Sequence, residues 1–167
     1  MHLSTFTDYT LRVLMYLAVA KDRLATISEL AGAYGISQNH LMKVVHQLSR
    51  SGLVDSVRGK GGGIRLARQP NEIHLGGVIR ASEGDAPIVE CFSAEKNACR
   101  IAPACRLNRI LAQAFDGLFQ ALDAYTLADL TSNDRELAAL MQINTQPGRS
   151  PHGSSRARLG QDRSEPT

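Results

Sequence analysis

Three cysteines lie within a fifteen-residue stretch near the middle of the chain, at Cys91, Cys99 and Cys105. Their spacing, C-x7-C-x5-C, differs from the closely spaced pairs of structural zinc sites. An iron–sulfur cluster is wider than one ion and accepts cysteines spread over a loop. Arg100 and Arg106 would stabilise neighbouring thiolates. The segment therefore predicts an iron–sulfur cluster, with three buried or free thiols as the alternative that its polar sequence disfavours.

The three cysteines leave one cluster ligand unassigned. No histidine occurs between His74 and His152, so a fourth ligand must come from elsewhere in the fold, from a partner subunit or from solvent. An odd number of clustered cysteines favours metal or redox chemistry over a disulfide framework. Three thiolates and one oxygen ligand can hold either a [2Fe-2S] or a [4Fe-4S] cluster, so the nuclearity stays open.

A helix is predicted to begin near Thr7, upstream of the cysteines. Leu11, Leu14, Met15 and Ala18 repeat at helical spacing and form one apolar face. Thr5 and Asp8 stand in the relation of a capping box, which assigns the Asp8 carboxylate to the helix N-terminus.

The next segment predicts two short helices around a tight turn, over 28–34 and 37–50, with Gly35 in the turn at positive φ. Ser37 suits the N-cap of the second helix. Two apolar runs, 52–57 and 64–67, flank the glycine-rich basic loop 58–63 and predict a β-hairpin. A hairpin directly after a helix-turn-helix is a wing.

The predicted recognition helix and wing carry residue types that contact DNA. Gln38, Asn39 and His40 occupy the exposed first turn, and Gln or Asn pairs bidentately with adenine in the major groove. The predicted phosphate contacts are Ser28, Ser37, Lys43, Arg58 and Lys60. The alternative is that these are ordinary solvated residues. Residues 1–70 hold nine Lys/Arg against four Asp/Glu, which favours a polyanionic partner for this half of the chain.

The remaining chain divides into a cluster-binding loop over 83–106, a helix over 104–132 and a disordered tail over 145–167, after a winged domain over 1–82. A helix of about 27 residues would span about 40 Å. Packing against a second copy would cover its apolar stripe, so we expect a homodimer. No signal peptide or membrane-spanning stretch is visible, which predicts a cytoplasmic protein without a membrane partner.

The fold class expected is thus mainly α with a small β-hairpin wing, a winged helix-turn-helix domain plus a long C-terminal dimerisation helix. At this point the sequence resembles the IscR/NsrR family of dimeric iron–sulfur winged-helix regulators. The residues that carry this resemblance are the segments 3–18, 27–31, 40–45 and 58–63 and the three-cysteine loop. It covers about residues 1–140.

The resemblance implies that Cys91, Cys99 and Cys105 are the cluster ligands. The first gap is seven residues, where relatives often have five. Asn108 stands where one branch of the family has a histidine ligand, which favours the nitric-oxide-sensitive branch. That branch implies Asp8, reaching from the other subunit, as fourth ligand, and a repressor that binds double-stranded operator DNA in its cluster-loaded form and releases it on nitric oxide exposure.

Two rival functions remain. An iron–sulfur or redox-sensing regulator would keep the same fold and respond to a different signal. An iron–sulfur or thiol oxidoreductase is disfavoured, because the sequence has no C-x-x-C pair and no nucleotide-binding fingerprint. We therefore expect a protein that is not an enzyme.

Overall fold

The computed structural model describes residues 2–84, 89–93 and 97–143. The elements run in the order α1 Thr5–Ala20, α2 Ile27–Tyr34, α3 Gln38–Arg50, β1 Val54–Val57, β2 Gly63–Leu66, α4 Leu75–Glu83, α5 Arg106–Asp123, α6 Leu127–Leu130 and α7 Asp134–Leu140. Short 3-10 turns occupy Pro70–Glu72, Glu90–Phe92 and Ala102–Ala104. The predicted fold class, mainly helical with one small hairpin, is confirmed.

Helix α1 lies at the centre of the core. Val13, Leu14 and Leu17 are fully buried, and α1 contacts α3, α4, α6, α7 and β2. The helix begins two residues earlier than predicted, because Ser4 is its N-cap and the Ser4 side chain accepts from the Thr7 backbone N–H at 3.2 Å.

The helix-turn-helix forms close to its predicted bounds. The Thr26 side chain and the Glu29 side chain cap α2 reciprocally. Gly35 adopts φ 65°, ψ 28°, a left-handed conformation that glycine accepts without a Cβ penalty, and it ends α2. Ser37 caps α3 as predicted, accepting from the His40 backbone N–H at 3.4 Å.

The wing is an antiparallel pair in which Val54 lies opposite Leu66 and Val57 lies opposite Gly63. Its second strand is also fixed to the linker between α1 and α2, because Ile64 and Ala25 exchange backbone hydrogen bonds of 2.8 and 2.9 Å. A Cβ at Gly63 would lie 2.7 Å from the Ala25 carbonyl oxygen, so the close approach requires glycine. The wing is therefore held against the helical core.

The helix predicted over 104–132 is shorter than expected. Helix α5 ends at Asp123, and after Ala124 and Tyr125 the chain makes an isolated bridge between Thr126 and His74. Thr126 then caps the separate helix α6, where Leu127 is fully buried in the winged domain. The break has a tertiary cause, since burying Leu127 requires the chain to turn back toward the core.

No helix in the described part of the chain is long and apolar enough to cross a membrane. The predicted tail over 145–167 lies outside the described residues, as does part of the predicted loop over 83–106.

Candidate DNA-binding surface and cysteine loop

The first turn of α3 presents its predicted base-reading residues to solvent. Gln38, Asn39 and His40 are all exposed. The His40 ring lies 6.1 Å from the Tyr9 ring, centroid to centroid, so α1 supports this turn from behind. The Ser37 hydroxyl oxygen accepts the cap hydrogen bond and its O–H remains available to donate to a phosphate. The geometry leaves the amides of Gln38 and Asn39 unobstructed.

Three predicted phosphate-binding cations, Lys43, Arg58 and Lys60, are exposed. None of them belongs to an ion pair among the residues described. Strand β1 contacts α3, and the Ser49 and Ser56 hydroxyl oxygens lie 3.4 Å apart, which connects the wing to the recognition helix. The positive charges of Lys43, Arg58 and Lys60 are therefore not neutralised by a described carboxylate, as a DNA-binding surface requires.

Ser28 lies apart from this group, exposed on the first turn of α2. It lines a separate cleft with Arg23 and Glu29, which form an ion pair of 2.6 Å. Partial burial would raise the pKa of Glu29, but hydrogen bonds from Thr26 and Arg23 outweigh it and lower that pKa overall. Ser28 thus neighbours an anionic carboxylate, although its charge is paired.

The structure adds a histidine and an arginine that were not among the predicted contacts. His46 and Arg50 share a shallow cleft with Lys43, beside Phe6 of α1. All three lie on the exposed side of α3. Their positions, 43, 46 and 50, follow the i, i+3, i+7 pattern of one helix face. That spacing was the available signal, and it extends the basic surface along the whole of α3.

The three cysteines lie on three short segments. Cys91 is in the 3-10 turn Glu90–Phe92, Cys99 precedes the turn Ala102–Ala104, and Cys105 is the N-cap residue of α5. Hydrogen bonds connect these segments. Asn108 Nδ2 donates to the Cys91 carbonyl at 3.0 Å, Ala98 N donates to Glu90 Oε1 at 2.7 Å, and Ala102 N donates to the Cys99 carbonyl at 3.2 Å.

Aromatic packing fixes the Cys91 turn against α5. The rings of Phe92 and Phe115 meet edge to face with centroids 6.5 Å apart. The side-chain amide of Asn108 also holds the backbone of the Cys91 turn. This is the position at which one family branch has a histidine ligand. Both contacts attach the Cys91 turn to α5, and the chain enters α5 directly after Cys105.

The thiols suit an iron–sulfur cluster chemically, although they do not form a closed site. All three are free and partly buried. Cys105 lies at the N-terminus of α5. Within the described residues no three His, Cys, Asp or Glu side chains converge as a metal site. The donor set therefore fits the group in ligand type, and the fit rests on chemistry and not on an assembled geometry.

Asp8 does not cap α1, so that interpretation of its carboxylate is wrong. Ser4 is the cap residue, and its backbone N–H donates instead to Glu83 Oε1 at 2.8 Å. Asp8 pairs with Arg12, one turn along, at 2.9 Å between Oδ2 and the guanidinium. Its side chain is 46% exposed, so the carboxylate is accessible from outside the chain.

Helix α5 carries an uncovered apolar face. Leu107, Ile110 and Leu118 are 57%, 60% and 39% exposed, and they lie on one side of the helix at 107, 110 and 118. The adjacent side, with Phe115 and Phe119, is partly covered, and α5 packs against α4. Helix α5 thus packs one apolar side against its own domain and leaves a second apolar side exposed.

Comparison with known proteins identifies the family. Residues 3–133 match the Rrf2 family, described as "Iron-dependent Transcriptional regulator". The chain belongs to the Rrf2 family. The resemblance found from its motifs is thereby confirmed, and the expectation that the protein is not an enzyme agrees with relatives named as transcriptional regulators.

The relatives and solved structures of this Rrf2 protein agree with one another. It is 45% identical over 144 residues to the HTH-type transcriptional regulator NsrR of Bacillus subtilis, covering 86% of this chain and 99% of the relative. The NsrR of Shouchella clausii is 44% identical over 146 residues, covering 87% and 98%.

Two solved structures share the fold of this chain. CymR, the global cysteine regulator of B. subtilis, superposes with a TM-score of 0.63 at 29% identity, over 80% of this chain and 98% of CymR. IscR of T. potens superposes with a TM-score of 0.62 at 26% identity, over 88% and 94%. The winged fold, the HTH-type relatives and the family match make this chain a DNA-binding transcriptional regulator.

Proposed function

We propose that this Rrf2 protein is a cytoplasmic, homodimeric repressor that binds operator DNA when an iron–sulfur cluster is bound, and that releases the DNA on exposure to nitric oxide. One observation carries the proposal. The fold pairs an exposed, unneutralised recognition surface with a loop of three free thiols. The similarity to regulators named NsrR supports assigning the signal to nitric oxide.

Recognition of DNA is divided between two sets of residues. Gln38 and Asn39, at the tip of α3, read base edges in the major groove. Lys43, Arg58 and Lys60 bind phosphates and set the register of the protein on the duplex. Ser28, Ser37 and His40 add polar contacts, and His46 and Arg50 extend the phosphate-binding face along α3.

The dimer forms through the apolar side of α5. Leu107, Ile110 and Leu118 present an uncovered stripe that a second α5 would bury. A two-fold dimer formed through such a contact would carry two recognition helices, the number that a palindromic operator requires.

Cys91, Cys99 and Cys105 hold the cluster, and Asp8 of the second copy supplies the fourth ligand. When bound, the cluster supplies the iron at which nitric oxide reacts, and an oxygen ligand is the weakest point of its coordination. Asp8 has a local alternative partner in Arg12. The carboxylate can therefore leave the partner's loop without remaining unpaired.

The fold gives the cysteine loop a direct connection to the DNA-binding helices. Glu83 ends α4, immediately before the loop, and its carboxylate accepts from the backbone N–H of Ser4 at the start of α1. Four residues later, Asp8 is in the same helix, and Tyr9 contacts His40 of the recognition turn. Movement of α1 at Asp8 would thus reach α3 through the packing of the two helices and through the Tyr9–His40 ring contact.

The proposal is tested with protein purified without oxygen and with genomic fragments that it selects from its host. Iron and sulfide content, absorption and native mass give the nuclearity, and operator affinity is measured before and after nitric oxide. We expect tight binding of the cluster-loaded protein and loss of binding after nitric oxide. Superoxide in place of nitric oxide tests the redox-sensing alternative, and release by superoxide alone would contradict the nitric oxide assignment.

Two variants test the ligands. Cys99→Ala should abolish the cluster while retaining the winged fold, so full iron and sulfide content in this variant would contradict the ligand set. Asp8→Ala should still assemble a cluster, with altered absorption and weaker operator binding. In a mixed dimer of one cysteine-free subunit and one Asp8→Ala subunit, one normal cluster is expected for ligation across the dimer, and none for ligation within one chain.

A further inference from the structure

A cleft separate from the cysteine loop lies between α1, α3, α4 and the segment that follows the wing. Its volume is about 280 Å³. Leu48, Ile73 and Val78, each buried, form its apolar floor. This volume is at the lower end of the range for small-molecule sites, so the cleft suits a ligand of the size of a small metabolite.

Thr10 contributes an unpartnered hydroxyl to this cleft. The residue is 2% exposed, and its Oγ1 has no hydrogen-bond partner among the residues that the structure describes. Burying a hydroxyl without a hydrogen-bond partner is destabilising, so such groups are nearly always satisfied in proteins. A ligand with a polar atom at this depth would satisfy Oγ1.

The rim of the cleft carries both signs of charge. Arg68 and Glu72 both line it, and neither belongs to an ion pair among the described residues. Glu72 accepts only the Gln69 backbone N–H, at 3.2 Å. A guanidinium recognises a carboxylate with a planar pair of donors, and a carboxylate recognises an ammonium group.

We propose that this cleft binds an α-amino acid whose short aliphatic side chain carries one hydrogen-bonding atom. The amino acid carboxylate lies at Arg68 and its ammonium group at Glu72. The side chain extends over Leu48, Ile73 and Val78, and its polar atom meets Thr10 Oγ1. A single water molecule would satisfy Oγ1 but would leave the apolar floor and both rim charges without a partner.

The position of the cleft couples its occupant to the recognition helix. Gln47 of α3 lines the cleft, and its Nε2 donates to the Ala81 carbonyl of α4 at 3.0 Å. A bound amino acid therefore lies beside the Gln47–Ala81 hydrogen bond, which joins the recognition helix α3 to α4, the helix that leads to the cysteine loop. Binding should protect backbone amides at this junction from exchange.

The experiment titrates the full-length protein calorimetrically with matched pairs of amino acids, threonine against valine and methionine against norleucine. The members of each pair have nearly the same shape and differ in one polar atom. We expect threonine or methionine to bind about tenfold more tightly than its apolar counterpart. Thr10→Val should abolish that preference, and hydrogen exchange should show ligand-dependent protection within 47–53 and 72–82.

Arg68→Gln should weaken binding of the preferred amino acid at least tenfold, whereas Arg65→Gln, in strand β2 just before Arg68 and outside the cleft, should not. Absence of saturable binding for all four amino acids up to about 10 mM would overturn the proposal. A threonine or methionine preference that survives Thr10→Val, or protection confined to other segments, would overturn it equally. None of these measurements depends on the cluster or on operator binding.

Discussion

The first helix and the fifth helix bury their apolar residues in opposite ways. Helix α1 has 16 residues, of which eight are buried, and every neighbouring helix packs on it. Helix α5 has 18 residues and none is buried. The winged domain therefore holds its shape through its own core, whereas α5 and the cysteine loop need further surface to complete theirs. The stable part carries the DNA-binding surface, and under the proposed function the incomplete part meets the second copy and the signal.

The strongest test of this difference removes apolar volume from each helix. Leu14 is fully buried, so Leu14→Ala leaves a cavity in the core. We expect a loss of about 2–5 kcal/mol in the free energy of unfolding. Leu107→Ala, at a 57% exposed position, should change it by less than about 0.5 kcal/mol at protein concentrations where the chain is monomeric. Urea unfolding of the metal-free protein measures both. Equal losses would show that α5 belongs to the same core.

The second test charges the uncovered side of α5. The double variant Leu107→Glu with Ile110→Glu would bury two carboxylates against a second copy, and we expect dimer dissociation to rise by about 100-fold or more. Sedimentation velocity over a range of concentrations measures it. Gln113→Glu with Gln120→Glu is the control, because both glutamines are exposed polar residues of the same helix. Unchanged association of the first variant would place the dimer contact elsewhere.

The comparison also explains which features were predictable from sequence. The helix-turn-helix and the wing are specified locally, by Ser37, Gly35 and the glycine-rich loop, and both formed close to their predicted bounds. The end of α5 was not predictable, because it depends on Leu127 turning back into a distant core. Capping by Asp8 was predicted from a local motif, but Ser4 is the N-cap, and its backbone N–H donates to Glu83, which is distant in sequence.

The candidate site divides in the same way. The exposure of Gln38, Asn39 and Lys43 followed from amphipathic spacing alone. The contribution of Arg50 followed from the same spacing, seven residues after Lys43, but its place beside Phe6 of α1 required the fold. The cysteine assignment depends on residue type, since the fold connects the three segments through Asn108 and Glu90 without closing a metal site.

The third test separates the two roles within the stable domain. Lys60→Ala should flatten the dependence of log K on log salt by about one unit and weaken all DNA sequences alike. Gln38→Ala should leave that slope unchanged and relax preference at one base pair of each half-site, by about 1–3 kcal/mol. Fluorescence anisotropy at several salt concentrations, with operator and base-substituted duplexes, distinguishes them. The same behaviour from both variants would contradict the division between positioning and reading residues.

The smallest effect is expected at the junction between the two regions, where Glu83 of α4 meets the start of α1. A hydrogen bond from Thr7, together with the bonds from Ser4, lowers the pKa of Glu83 below its ordinary 4.5 despite some desolvation. A carboxyl whose pKa is lowered in the folded state stabilises the fold at pH values above its unfolded-state pKa. That contribution disappears as the pH falls through the folded-state pKa.

Glu83→Gln should therefore be less stable than the natural protein at pH 7, by less than about 1 kcal/mol because the contact is only partly buried. The difference should shrink below about pH 4.5 and vanish in stronger acid. Urea midpoints at pH 7 and in acid measure it, with Glu136→Gln on α7 as the matched control. A constant difference at all pH values would mean that the Glu83 charge does not hold α1 to α4.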